Sequence, residues 1–130
     1  MRIPNIDCKI EMFSNVNPSE DEEKVRISIL NIFPYSKFTS KKPSLKAEST
    51  DISSLEKIYE AIHSKQSQKA YKRNLENNLD SNSTWFYLNK QAAFVNKIVI
   101  CDELDESPLG PIRVVLTSKQ IDRLIEWLTS

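Results

Sequence analysis

Side chains able to do acid–base or phosphate chemistry are few and widely spaced in this sequence of 130 residues. His63 is the single histidine, so a Ser-His-Asp triad, a Cys-His pair and a two-histidine zinc site are hard to assemble. Gly110 is the single glycine, which excludes the glycine-rich loops that hold phosphates in dinucleotide-binding and P-loop folds. The sequence therefore predicts a protein that is not an enzyme, with no catalytic residue and no cofactor.

Thiols and carboxylates are the remaining candidate metal ligands. Cys8 and Cys101 lie far apart in predicted strands and form no Cys-x-x-Cys pair, which favours buried apolar roles for both. The acidic runs 20–23 and 102–106 could hold a hard cation such as Mg²⁺ if folding brought them together. The first run, however, lies where a helix N-terminus favours negative charge, and the second lies in a predicted loop. No metal site is predicted.

Positive charge is concentrated in one predicted helix, although the whole chain is neutral, with 18 basic and 18 acidic residues. Helical spacing places four basic side chains within about a third of the circumference, opposite Tyr71 and Leu75. These are Lys65, Lys69, Lys72 and Arg73, to which Lys41, Lys42 and Lys46 could add. Such a stripe could bind RNA phosphates in a salt-dependent manner. The alternative is a set of surface lysines that only keeps the helix soluble.

The aromatic run Trp85-Phe86-Tyr87 has the propensity of a β-strand. Because neighbouring strand residues point to opposite faces, at least one ring should lie outside the core unless both faces of the sheet are covered. A ring exposed on a sheet can stack on an unpaired base. The alternative, which the sequence alone favours, is that all three rings pack in the core or in an interface.

The apolar periodicity predicts the elements that position these side chains. Alternation from Ile6 to about Val16 predicts a strand, and Asn17-Pro18 predicts the start of a helix that Pro34 ends. Further strands are predicted at 45–49, 85–88, 97–101 and 112–116, and further helices at 53–63, at 67–79 and after a Thr117–Gln120 capping box. The order β-α-β-α-α-β-β-β-α predicts a single α+β domain over residues 1–130. We expect a four- to five-stranded, mainly antiparallel sheet with helices packed on one face.

Two apolar residues of the first helix, Ile27 and Leu30, fall outside its inward stripe. They predict contact with a second partner, which could be another helix or another subunit.

The chain shows no signal for a membrane partner. It reaches Asp7 and Lys9 before an apolar signal segment could form, and no apolar run approaches the length of a membrane span. A cytoplasmic location is therefore expected.

Several blocks along the chain resemble an archaeal family described as predicted exosome subunits or RNA-binding proteins. The blocks are Val16–Val25 with Asn31–Pro34, Phe86–Ala93, Ser107–Ile112, and Ile121-Asp122 to Trp127-Leu128. They span nearly the whole chain in the family's order. The resemblance implies RNA as a partner. It also implies a fold similar to that of the ribosomal protein that binds five-S ribosomal RNA, an antiparallel sheet with helices packed against it.

Asn89-Lys90-Gln91 is the most polar part of these matching blocks. Its lysine offers a charge for phosphate, and its amides can pair with base edges. The alternative is a structural turn whose amides bond to neighbouring backbone groups. At Asn96 the family favours glycine, and asparagine is the next-best residue for a positive φ.

The leading hypothesis is a non-enzymatic RNA-binding or RNA-processing accessory protein. Its predicted RNA contacts are Asn89, Lys90, Gln91, Lys65, Lys69, Lys72 and Arg73. The alternative hypothesis is a protein-interaction subunit or a homodimer without nucleic-acid binding, which would use Ile27, Leu30 or the aromatic strand.

Overall fold

The chain folds into an antiparallel sheet that carries helices on one side. A computed structural model describes residues 3–40, 43–103 and 109–130. The strands in these ranges are β1 (Lys9–Asn15), β2 (Lys37–Phe38), β3 (Ser44–Ser49), β4 (Ser83–Leu88), β5 (Ile100–Cys101) and β6 (Ile112–Thr117). The α-helices are α1 (Glu22–Ile32), α2 (Glu56–Ser64), α3 (Gln68–Asn77), α4 (Lys90–Phe94) and α5 (Ile121–Thr129), and a 3-10 turn (Ile52–Leu55) precedes α2. The sheet order is β2-β3-β1-β6-β4-β5, and every neighbouring pair is antiparallel.

The sheet has one apolar face because apolar and polar residues alternate along its long strands. In β1 the side chains of Ile10 and Met12 are fully buried, whereas those of Glu11 and Phe13 are only partly buried. The strands β3, β4 and β6 show the same alternation. One set of side chains therefore enters the core, and the other set lies on the opposite face.

The core lies between the apolar face and the helices. Each α-helix contributes at least one buried side chain to the same cluster as the strands, including Ile29, Ile58, Leu75, Ala93 and Leu124. Complete burial of a large aliphatic side chain contributes about 1.5–3 kcal/mol. The predicted α+β fold, with a mainly antiparallel sheet, is confirmed.

The predicted number of strands was too low, since the described residues contain six rather than four or five. Lys37 and Phe38 form an edge strand that is too short to show alternation in the sequence. The strand predicted at 97–101 is reduced to Ile100–Cys101. Asn96 precedes it with a φ of 63°, which confirms the positive φ expected there.

The starts of two helices also differ from the prediction. The first helix begins at Glu22 rather than at Pro18, because the Asp21 carboxylate accepts the hydrogen bond that caps it, from the backbone N–H of Glu23. Asn17 instead bonds to Glu20.

The predicted capping box of the last helix is wrong. Gln120, the residue before α5, makes no capping hydrogen bond with its own side chain. The Ser118 hydroxyl accepts the hydrogen bond of the Gln120 N–H at 3.0 Å, and Thr117 pairs with Ser83 across the sheet.

Both cysteines are buried, as predicted. Burial, together with the nearby Asp51 and Asp7, raises the pKa of the Cys8 thiol to about 11. Within the described ranges no cluster of three or more His, Cys, Asp or Glu side chains could hold a metal ion. None of the described helices is long and apolar enough to cross a membrane.

Candidate nucleic-acid interface

The face of the sheet opposite the helices carries aromatic and charged side chains. We call it the open face and define it by Lys9, Glu11, Phe13, Lys46, Glu48, Trp85, Tyr87, Arg113 and Val115, all partly or fully exposed. The strand register places Lys46, Phe13, Arg113 and Tyr87 in one row across β3, β1, β6 and β4. Of the aromatic run in β4, only Phe86 enters the core, where it is 1% exposed. The sequence did not show which of the three rings lies outside the core. The structure places Trp85 and Tyr87 on the open face.

Arg113 lies beside an aromatic ring at the centre of this face. Its guanidinium carbon is 5.3 Å from the centroid of the Trp85 ring, within the range of a cation–π contact. The Trp85 and Tyr87 rings are 4.9 Å apart and tilted by 55°, so they present two different planes. Among the described residues Arg113 makes no ion pair with a carboxylate. Its charge is therefore available to an anionic partner.

The lysines of the open face are balanced by acids. Lys46 Nζ is 3.1 Å from Glu11 and 4.0 Å from Glu48. Lys9 Nζ is 3.7 Å from Glu11 and 3.9 Å from Glu48. The charges of these two lysines and two glutamates therefore cancel locally. The positive charge that remains on this face is that of Arg113, whose neighbours in the row are Phe13 and Tyr87.

Phe13 and Arg113 are site residues that were not predicted from the sequence. Phe13 carried a usable signal, because it is an aromatic residue in phase with the polar positions Asp7, Lys9 and Glu11 of a predicted strand. No pattern in the sequence indicated Arg113, because its position beside Trp85 depends on the pairing of β6 with β4.

The predicted basic stripe is exposed on the helical side of the molecule. Lys69, Lys72 and Arg73 lie on α3, whereas Lys65 caps the end of α2 and does not share that helix as the spacing predicted. Lys41 and Lys42 lie outside the described residues. Arg73 is 3.4 Å from Oδ1 of Asp102, whose pKa is lowered by a hydrogen bond from Asn74 and by Arg73 itself. Lys65 Nζ donates to the carbonyl of Ile98 at 3.3 Å. Lys69 and Lys72 are therefore exposed cations of the stripe, whereas Arg73 lies close to the carboxylate of Asp102.

Lys90 is a buried structural cation. Its side chain is 3% exposed, and its ammonium group donates to the carbonyls of Asn15 (2.7 Å) and Leu109 (2.8 Å) and to the Glu20 carboxylate (2.9 Å). An ammonium group has three donors, and these partners use all of them. The phosphate contact predicted for Lys90 is therefore not available in this structure, because the charge is enclosed by protein groups.

The other two residues of the polar block have separate roles. Asn89 caps α4, because its side-chain oxygen accepts a hydrogen bond from the backbone N–H of Ala92 at 2.8 Å. Gln91 is exposed and borders a groove of about 490 Å³ between α1 and α4. Helix α4 was not predicted from the sequence, because five residues are too few to show a helical period.

Ile27 and Leu30 are exposed apolar residues of α1, and Phe94 and Val95 are exposed apolar residues at the end of α4. We call these four residues the α1–α4 patch: Ile27 (37% exposed), Leu30 (37%), Phe94 (40%) and Val95 (61%). The two helices are joined where Asn31 Nδ2 donates to the carbonyls of Ala93 and Phe94. Ile27 and Leu30 are exposed outside the inward stripe of α1, and the second partner predicted to contact them stays a prediction.

The fold and this face define an α+β protein with an antiparallel sheet that is open on one side. The chain belongs to the family whose model is described as RNA binding, and residues 9–118 match that model. This confirms the resemblance to a family with an RNA-binding description.

Proteins with the name UPF0201 are similar over nearly their full length. The chain is 41% identical to one from Sulfurisphaera tokodaii, over 93% of this chain and 86% of that protein. It is 34% identical to one from Methanothermobacter thermautotrophicus, over 92% of this chain and 89% of that protein. The crystal structure of the UPF0201 protein from Methanococcus jannaschii aligns with a TM-score of 0.79 at 28% identity, covering 94% of this chain and 99% of that chain. The fold described above is therefore shared with solved relatives.

Proposed function

We propose that this protein is a non-enzymatic RNA-binding protein and that the open face is its RNA contact surface. The observation that carries the proposal is the row across the sheet in which Arg113 is paired with Phe13 on one side and with Tyr87 on the other. Aromatic rings stack on bases, and a guanidinium group bonds well to phosphate. The description of the family as RNA binding supports the same function independently of this geometry.

The basic stripe on α3 is a second proposed contact for the same function. Lys69 and Lys72 are exposed and could bind the phosphates of a longer RNA. Since α3 packs on the apolar face of the sheet, the stripe and the open face point to opposite sides of the molecule. Variants on each side can therefore show which surface binds RNA. A role in RNA processing, including association with an exosome, stays a prediction from the sequence resemblance.

Replacing Arg113 with glutamine tests the proposed function. The change removes one phosphate-binding charge and keeps a polar side chain, so we expect affinity for RNA to fall about tenfold at low salt. The slope of log affinity against log salt should decrease by about one. Fluorescence anisotropy with a labelled RNA hairpin that carries single-stranded tails, between about 50 mM and 200 mM salt, measures both quantities.

The matched control is Arg123→Gln, the same change at an exposed position of α5 on the helical side. It should leave affinity and salt dependence unchanged. If Lys69→Gln/Lys72→Gln weakens binding and Arg113→Gln does not, RNA binds at α3 and the open face is the wrong surface.

The α1–α4 patch favours a second candidate function, that of a homodimer. A two-fold dimer buries the same surface of each subunit, and this patch offers four exposed apolar side chains on two joined helices. Light scattering at high protein concentration should then give the mass of a dimer, and Ile27→Asp should give that of a monomer. A monomeric wild-type protein would rule out this candidate and leave RNA binding untouched.

A further inference from the structure

We infer that the open face selects unpaired RNA, with separate bases stacked on Phe13 and Tyr87 and the phosphate backbone held by Arg113. This inference rests on the proposed function and adds the class of RNA that is bound. It follows from the spacing of the rings, the position of Arg113 and the charge balance of the face.

The spacing of the two rings requires bases that are not stacked on each other. Phe13 and Tyr87 are both paired with Arg113, one in β1 and one in β4, on either side of β6. Neighbouring strands are about 4.8 Å apart, so the two backbones are separated by roughly 10 Å. Consecutive base pairs in a duplex are only about 3.4 Å apart, and their bases are hidden in the stack. Only an unpaired segment can spread its bases across both rings.

Trp85 is a positioning residue for Arg113 rather than a third stacking platform. The guanidinium group lies over its ring, which leaves the N–H donors of Arg113 to face a phosphate. The tilt of 55° between the Trp85 and Tyr87 rings prevents one base from stacking on both. The Lys46 ammonium lies 5.7 Å from the centroid of the Phe13 ring, so a base that stacks on Phe13 takes the place of this lysine.

The charge balance of the face also favours single strands over duplex. Proteins that hold duplexes through the backbone neutralise several phosphates, and each such contact steepens the salt dependence. On the open face Lys9 and Lys46 are close to Glu11 and Glu48, which leaves Arg113 as the main cation. Stacking should therefore supply most of the affinity, and the salt dependence should be shallow.

The test compares labelled oligouridylate alone with the same strand annealed to oligoadenylate. We expect the intact protein to bind the single strand at least about tenfold more tightly than the duplex, since stacking contributes about 1–3 kcal/mol per base. Tyr87→Leu should lower the single-strand affinity about tenfold and Tyr87→Phe should retain it, because only the ring is needed. Tyr35→Leu removes an aromatic residue that is 65% exposed between α1 and β2, and it should change nothing. Thermal unfolding of each variant verifies that it is folded.

A separate readout tests the role of Trp85. Trp85→Leu should reduce the salt slope as much as Arg113→Gln does, and combining the two changes should reduce it no further, because both remove the same phosphate contact. An unchanged salt slope in Trp85→Leu would overturn the positioning role.

The results separate this inference from the proposed function. If duplex binds as tightly as the single strand and Arg113→Gln weakens both, the open face binds RNA but base stacking is overturned. If neither RNA binds more tightly than the non-specific range of about 10⁻⁴–10⁻⁶ M, the proposed function and this inference both fail.

Discussion

Replacing Lys90 with methionine is expected to lower the free energy of unfolding by about 3–5 kcal/mol. The change leaves the Glu20 carboxylate, whose side chain is 9% exposed, without its cation. It also removes the donor that the carbonyls of Asn15 and Leu109 share. For a protein of this size such a loss corresponds to a decrease in Tm of roughly 10–20 °C. Urea unfolding followed by circular dichroism measures the free energy.

The matched control is Lys97→Met, the same change at an exposed lysine. It should alter stability by less than about 0.5 kcal/mol. Adding Glu20→Gln to Lys90→Met should recover part of the loss, because the unpaired buried charge is then removed. Equal stability of Lys90→Met and Lys97→Met would contradict the structural role. A large loss of RNA affinity in folded Lys90→Met would restore the contact predicted from the sequence.

The main features of the fold could be predicted because they follow from local patterns. Alternation in β1 and the apolar stripes of the long helices identified their inward faces, and Pro34 marked the end of α1. The elements that were missed, β2 and α4, have two and five residues, which is less than a pattern needs. The start of α1 was misplaced because Asn17, Asp21 and their neighbours offer several capping groups, and only the folded chain selects one.

The candidate site was less predictable, since its members meet only through strand pairing. The aromatic run was recognised, but the sequence could not decide which ring leaves the core. Phe13, Arg113 and Tyr87 form one row only because β6 pairs with both β1 and β4. Burial of Lys90 is equally non-local, because Asn15, Glu20 and Leu109 enclose it from distant segments. The buried ion pair between Lys90 and Glu20 could therefore not be predicted from the sequence.

Removing both stacking rings together should have the largest effect on RNA binding. We expect Phe13→Leu/Tyr87→Leu to bind oligouridylate at least about thirtyfold more weakly than the wild-type protein, because each base that loses its ring loses about 1–3 kcal/mol. Leucine keeps an apolar side chain at each strand position, so the sheet should remain folded. Fluorescence anisotropy at low salt gives the affinities, and urea unfolding gives the stability of each variant.

This measurement also tests the central claim that the open face binds RNA. The matched control, Tyr35→Leu/Phe94→Leu, removes two exposed aromatic rings that lie away from the open face. We predict that the control keeps the wild-type affinity and that Phe13→Leu/Tyr87→Leu loses it. Wild-type affinity in folded Phe13→Leu/Tyr87→Leu, with a loss of binding in Lys69→Gln/Lys72→Gln, would contradict the account and assign RNA binding to α3.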